Sequence, residues 1–174
     1  MSKDQIILRP ESYLPGVDVA ERAGISRLKM GLWYHNQVEP DRSFGEKFYK
    51  LLDMVGCNMK DNGNPRSPEG IFAGQEIKYA TRGMFEKADL VHVVISSHSM
   101  NQESRLFMPG LKGVLDAADI KVPGNIFIVP IRLDDTPLPR LLSGITPLDL
   151  FQGDQQEFGK KLIRTWQVAM QQHS

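Results

Sequence analysis

The side chains of this sequence that could carry chemistry fall into a few short stretches. Tyr34-His35-Asn36 ends the apolar run Leu28–Tyr34 and could touch a nucleotide, although polar residues are equally expected where a strand runs into a surface loop. Asp134-Asp135 follows the apolar run Ile126–Leu133. Paired acids after a strand suit a phosphoacceptor or magnesium site, but such a site needs further acids after the first strand. Tyr34-His35-Asn36 supplies none, so Asp134 and Asp135 read as a turn. His92 sits inside Leu90–Ile95 and reads as a hydrogen-bonded core residue. His35, His92, His98, His173 and Cys57 show no metal-ligand spacing, so no metal is expected. Cys57 has no visible activating neighbour, and no glycine-rich phosphate loop is present.

Composition narrows the setting. The chain has 174 residues, a length that usually makes one domain, with 21 basic side chains balanced by 21 acidic ones. No global field therefore draws it to nucleic acid or anionic lipid, and neither is expected as a partner. A lone cysteine fits a reducing compartment. No apolar run reaches the length of a membrane span, and the polar N-terminus does not read as a secretory signal. A cytoplasmic protein is expected.

The elements that must position these side chains come next. Residues 1–27 read as an extension, with a short strand candidate at Gln5–Leu8, and residues 28–174 as the domain. Leu28–Tyr34 reads as a strand weakened by Gly31. Ser43 and Glu46 stand at capping-box spacing, and Phe44, Phe48, Leu51, Leu52 and Val55 make one helical face closed by Gly56. Cys57–Lys60 reads as a brief strand, and Asp61–Gly74 as a long loop. A helix over Gln75–Lys87, with Ile77, Ala80, Met84, Phe85 and Ala88 inward, leads into Leu90–Ile95. That continuous apolar run reads as a strand covered on both faces. Ser96–Met108 reads as irregular. Pro109 suits the first turn of a helix carrying Leu111, Val114, Leu115 and Ala118. Ile126–Leu133 reads as a strand whose Pro130 forbids a full ladder on both sides. Pro147–Leu150 reads as a short edge strand, and a last helix begins at Asp154 with Phe158, Leu162, Trp166 and Met170 inward. Alternation of strand and helix predicts a mostly parallel sheet with helices on both faces, and any ligand beyond the carboxyl ends of its strands.

Two segments carry a resemblance to a family. QEIKYATRGMFEKADLVHVVISS (Gln75–Ser97) resembles the segment of Toll/interleukin-1 receptor (TIR) domains in which a helix ends in Ala-Asp and enters a valine-rich strand closed by serine. FIVPIRLDDTPLPRLLSGITPLDL (Phe127–Leu150) resembles that family's next strand, acidic turn, Leu-Pro segment and short last strand. The resemblance spans Leu28 to about Trp166, with its specific part in Gln75–Leu150, and identifies the chain with bacterial stand-alone TIR proteins. It implies a flavodoxin-like α/β fold with a parallel sheet of about five strands. It also implies signalling through TIR–TIR association and, in many members, cleavage of NAD between nicotinamide and ribose. The loop Asp61–Gly74 would correspond to the family's BB loop. Arg66, Ile71 and Phe72 in it are then either a contact surface or, for the apolar pair, residues tucked under the next helix.

The chain departs from the family at one point. The family's catalytic glutamate opens the helix after the valine-rich strand, and if Phe107 is the aromatic residue of that motif, Leu111 occupies the glutamate's place. Glu103 is the nearby acid, and reads either as a solvated loop residue or as a replacement assembled with Ser97, Ser99 and Arg105. Two functions follow. One is a defence-signalling module that needs no cofactor and associates with itself or with another TIR-containing protein. The other is an NAD glycohydrolase or cyclase whose carboxylate has moved to Glu103, with Tyr34, His35, Asn36, Ser97, Ser99, Arg105 and Phe107 around the nucleotide.

Overall fold

The computed structural model describes residues 24–55, 76–101, 107–151 and 155–173. Its strands are β1 (Met30–Trp33), β2 (Leu90–Ile95), β3 (Ile128–Arg132) and β4 (Leu148–Asp149). Its helices are α1 (Asp41–Met54), α2 (Ile77–Phe85), α3 (Ser97–Asn101), α4 (Phe107–Ala118) and α5 (Gln155–Gln172). The strands form one all-parallel sheet in the order β1-β2-β3-β4. This is the flavodoxin-like α/β architecture, with four described strands where about five were expected. The strand candidates Gln5–Leu8 and Cys57–Lys60 lie outside the described residues.

The period-2 alternation of strand side chains builds two cores, one on each face. Met30, Leu32, Leu90, Val94, Val129 and Ile131 turn to the face covered by α1 and α5. Trp33, Val91, Val93, Ile95 and Ile128 turn to the face covered by α2 and α4. Every residue of β2 is buried, which explains why its sequence is apolar without alternation. Ile25, in the short turn ahead of β1, is wholly buried in the first core, so the packed body begins no later than that residue.

His92 is the polar member of β2 and is fully satisfied. Its Nδ1 donates to the Gly31 carbonyl at 3.0 Å, and its Nε2 accepts from the Trp166 indole at 3.0 Å. Burial lowers its pKa to about 4, so the ring is neutral. This is the core role expected of it. Pro130 behaves as expected too. β3 pairs along its length with β2, but with β4 only through Ile131–Leu148 and Arg132–Asp149. Leu133 donates to Ile95 and Leu150 donates to Arg132, so even-numbered β3 residues face β4. The missing N–H of Pro130 therefore points where the ladder has no rung.

Three local expectations are corrected. Helix α1 opens at Asp41, two residues before Ser43. Its outside acceptor is Glu39, which takes the Ser43 hydroxyl at 2.6 Å and the Ser43 amide at 3.3 Å, in place of a Ser43–Glu46 box. Those bonds from Ser43 hold the Glu39 pKa below its usual value. Within Ser96–Met108, expected to be irregular, Ser97–Asn101 forms α3. Ser96 and Ser99 cap it reciprocally: the Ser99 amide donates to Ser96 Oγ at 3.1 Å, and the Ser96 amide to Ser99 Oγ at 3.0 Å. Serine at the fourth place of the box hid the signal, which is normally Glu or Gln.

On α2, Thr81 is buried in place of the half-buried Ile77 and Ala80. The cause is close packing of α2 on α4 at Gly113. A Cβ there would stand 2.4 Å from the Lys78 carbonyl oxygen and 2.8 Å from Thr81 Cβ. Thr81 fits this contact because its hydroxyl returns to the Ile77 carbonyl at 2.7 Å. Backbone cannot yield as a side-chain tip can, so Gly113→Ala should cost about 2–3 kcal/mol. Urea unfolding of the variant measures this; a change within experimental error would mean the two helices are free to part.

Candidate functional site

The chain leaves β1 toward the α1/α5 face and leaves β2 toward the α2/α4 face. Adjacent parallel strands whose connections diverge in this way open a crevice between their carboxyl ends, the usual ligand position in open α/β sheets. In the observed register Trp33, the last residue of β1, pairs with Val93, three residues before Ser96.

Asp41, the first residue of α1, is buried at this crevice with 0% exposure. Ser96 at the end of β2 donates its hydroxyl to Asp41 Oδ1 at 2.6 Å. Oδ2 is buried with no hydrogen-bond partner. Loss of hydration raises the Asp41 pKa to about 6, even though the hydroxyls of Ser96 and Ser99, its own amide and the charge of His98 favour the ionised form. A carboxyl with that pKa is poised to hold or release a proton near neutrality, which is what a general acid or base requires.

Asp134, after β3, acts differently. It accepts from the Ser97 amide at 2.9 Å and the Ser97 hydroxyl at 2.8 Å, and from the Thr136 amide at 3.0 Å. Burial opposes its charge, but these bonds from Thr136 and Ser97 outweigh it and hold its pKa below the ordinary value. Asp134 is thus a saturated turn residue that pins the start of α3, as the turn reading expected, and Asp135 is exposed.

The expected site residues divide. His35 is buried at the β1 end. Its Nδ1 accepts from the Gln37 amide at 3.2 Å, its pKa is lowered by burial, and its ring stacks on Phe107 with centroids 6.2 Å apart. Asn36 is half-buried beside it. Tyr34 turns into the first core over Gly45. Ser99 is committed to the α3 cap and Ser97 to Asp134. Phe107 belongs to the second core, where its carbonyl accepts the Trp33 indole at 3.1 Å. Glu103, Arg105, Arg66, Ile71 and Phe72 lie outside the described residues.

The place that the resemblance gives to a glutamate is closed. Leu111 has 0% exposure within the second core, and a Cβ on the preceding Gly110 would stand 1.9 Å from the Trp33 ring. The first turn of α4 is thus seated on Trp33 at Gly110, with Leu111 turned into the core. The residue that sequence reasoning missed is Asp41. Reading the helix from Ser43 left Asp41 in a loop; the available signal was an acid just after Pro40 at the first strand-to-helix turn, a position that doubly wound sheets bring to their carboxyl edge.

A groove of about 840 Å³ lies at the opposite end of β3, with Val122, Ile126, Ile128, Ile145 and Leu148 in its lining. Lys121 there is taken up by the carbonyls of Glu86 and Ala88. Among the described residues no cluster of His, Cys, Asp and Glu could hold a metal ion, and no helix is long and apolar enough to cross a membrane. No family model and no curated protein matches the chain.

Proposed function

We propose that the chain is a TIR-type signalling domain, acting in immune or defence signalling by association with itself or by docking another TIR-containing protein. The observation that supports this most is the closed slot on α4: Leu111 is core, and Gly110 admits no side chain beneath Trp33. A TIR-like sheet lacking the family's acid retains its surfaces but not its usual chemistry. Two expected results test it. Purified protein incubated with NAD, alone or with a multimerising partner, should release no nicotinamide by chromatography. Light scattering should show concentration-dependent assembly that Phe72→Asp weakens at least severalfold; scattering unchanged in that variant would remove the loop from the reading.

One observation favours the second reading, an NAD glycohydrolase or cyclase with a displaced carboxylate. The crevice holds an acid, Asp41, with a pKa of about 6 and a free oxygen. In that reaction the C1′–nitrogen bond breaks, nicotinamide departs neutral with the bonding pair, and positive charge grows on the ribose. A carboxylate stabilises that charge until water adds its oxygen to C1′ and loses a proton. Nicotinamide release abolished by Asp41→Asn would establish this reading, and release abolished by Glu103→Gln alone would assign the acid to Glu103.

A further inference from the structure

The amino half of β3 has an open edge. Even-numbered β3 residues face β4, yet the ladder to β4 begins only at Ile131–Leu148. Upstream of that rung the Ile126 amide is taken by Gln172 Oε1 at 2.7 Å. Among the described residues nothing pairs with the amide or the carbonyl of Ile128 on this side. Unpaired strand groups of this kind are a template for another strand, and folded proteins cover such edges. The groove of about 840 Å³ runs along the same edge, between Leu115 and Ala118 of α4 and Thr165 of α5. Val122 in its lining is a large apolar side chain left 65% exposed.

We propose that this groove is the docking site of the chain's own segment Gln5–Leu8, which adds to the open edge of β3 as a short extra strand. Three observations select that occupant. Ile6, Ile7 and Leu8 are apolar in succession, and a strand without alternation needs cover on both faces. The groove supplies that cover, because α4 closes one face of the sheet and α5 the other. The open stretch is short, bounded by the Gln172 bond at Ile126 and the Leu148 rung at Ile131, and a four-residue strand stopped by Pro10 matches it. Gly24, the first described residue, precedes β1 and so stands at the amino edge of the sheet, which is the groove's own edge. Residues 9–23 reach at most about 50 Å when extended, against about 15 Å for three strand spacings from β1. Attachment to the same chain gives the segment a high local concentration, which favours it over a second copy. The groove lies at the other end of the sheet from the β1/β2 crevice, so this docking and either reading above can fail separately.

Hydrogen exchange and NMR on the full chain test the docking. The Ile128 amide should be protected, and residues 6–8 should show nuclear Overhauser contacts with Ile128 that persist on dilution. Ile7→Asp, which forces a charge into the groove, should abolish those contacts and speed exchange at Ile128 about tenfold or more. The Leu133 amide, bonded to Ile95, should keep its protection in that variant and so report an intact sheet. Ile7→Val should behave as the parent. Exchange at Ile128 that is alike in the parent and Ile7→Asp, or a parent chain without contacts between residues 6–8 and Ile128, would overturn the proposal. Contacts seen only between differently labelled chains would overturn it too, and would give the groove to a second copy. The contact measurement on the unaltered chain decides the matter even where a variant fails to fold.

Discussion

Asp41→Asn should make the protein more stable above about pH 7, by about 3 kcal/mol, and should leave its stability unchanged in acid where Asp41 is protonated in both states. The sign follows from the direction of the shift. Asp41 has a pKa of about 6 in the folded chain against the ordinary 3.8 of an aspartate. Below the lower value folded and unfolded chains both hold the proton and no penalty arises. As pH rises through that interval the unfolded chain releases its proton first, so the folded state loses stability until the penalty is complete above the folded pKa. Asparagine has no proton to lose.

His92 works in the opposite sense. Its pKa of about 4 lies below the ordinary 6.5 of a histidine, so the unfolded chain gains a proton first as pH falls, and stability declines toward the folded pKa. In the unaltered protein the two slopes oppose each other between about pH 4 and 6, leaving the fall toward acid that the lowered pKa values of His35, Glu39 and Asp134 contribute. Asp41→Asn removes one slope and should expose the acid sensitivity of His92. Urea denaturation across a pH series reads both effects. An asparagine variant less stable than its parent at high pH would mean that the buried carboxylate is not a net cost to the folded chain, and the assigned direction of its shift would fall.

Leu111→Glu is expected to cost about 4 kcal/mol, because it places an unpaired carboxylate in the second core. Leu111→Met, close to it in volume, should cost less than about 1.5 kcal/mol. The pair separates loss of packing from burial of charge. The glutamate variant restores the side chain that the family resemblance leads one to expect at this place, yet it should gain no NAD cleavage, since Leu111 faces the α2/α4 core. A folded Leu111→Glu protein that releases nicotinamide would show that the slot opens onto the crevice. It would also sink the assignment of this chain to the non-catalytic class.

Much of the architecture was legible in the residues themselves. The valine-rich run Leu90–Ile95 announced a strand covered twice, Pro130 announced an incomplete ladder, and His92 announced a satisfied core histidine. These features depend on local periodicity, on a missing donor and on the cost of burying a polar ring, all of which belong to the residue and its immediate neighbours. Helix starts were read less well: Glu39 and the Ser96–Ser99 pair satisfy amide groups through acceptors that do not follow the commonest capping pattern.

The candidate site was a different matter. Asp41 and Ser96 are 55 positions apart, and only sheet pairing brings one to the other. Whether a carboxylate oxygen finds a donor, and how far burial moves its pKa, depends on every element packed around it, which no spacing along the chain records. The same holds for Leu111, whose apolar character was plain from the start, while its direction, into the core beneath Trp33, was settled only by the docking of α4. Composition and periodicity therefore determined the layers, because those follow from each residue's own solvation. Tertiary contact decided which acid stands at the carboxyl edge, because electrostatics at a buried site is a sum over distant parts of the chain.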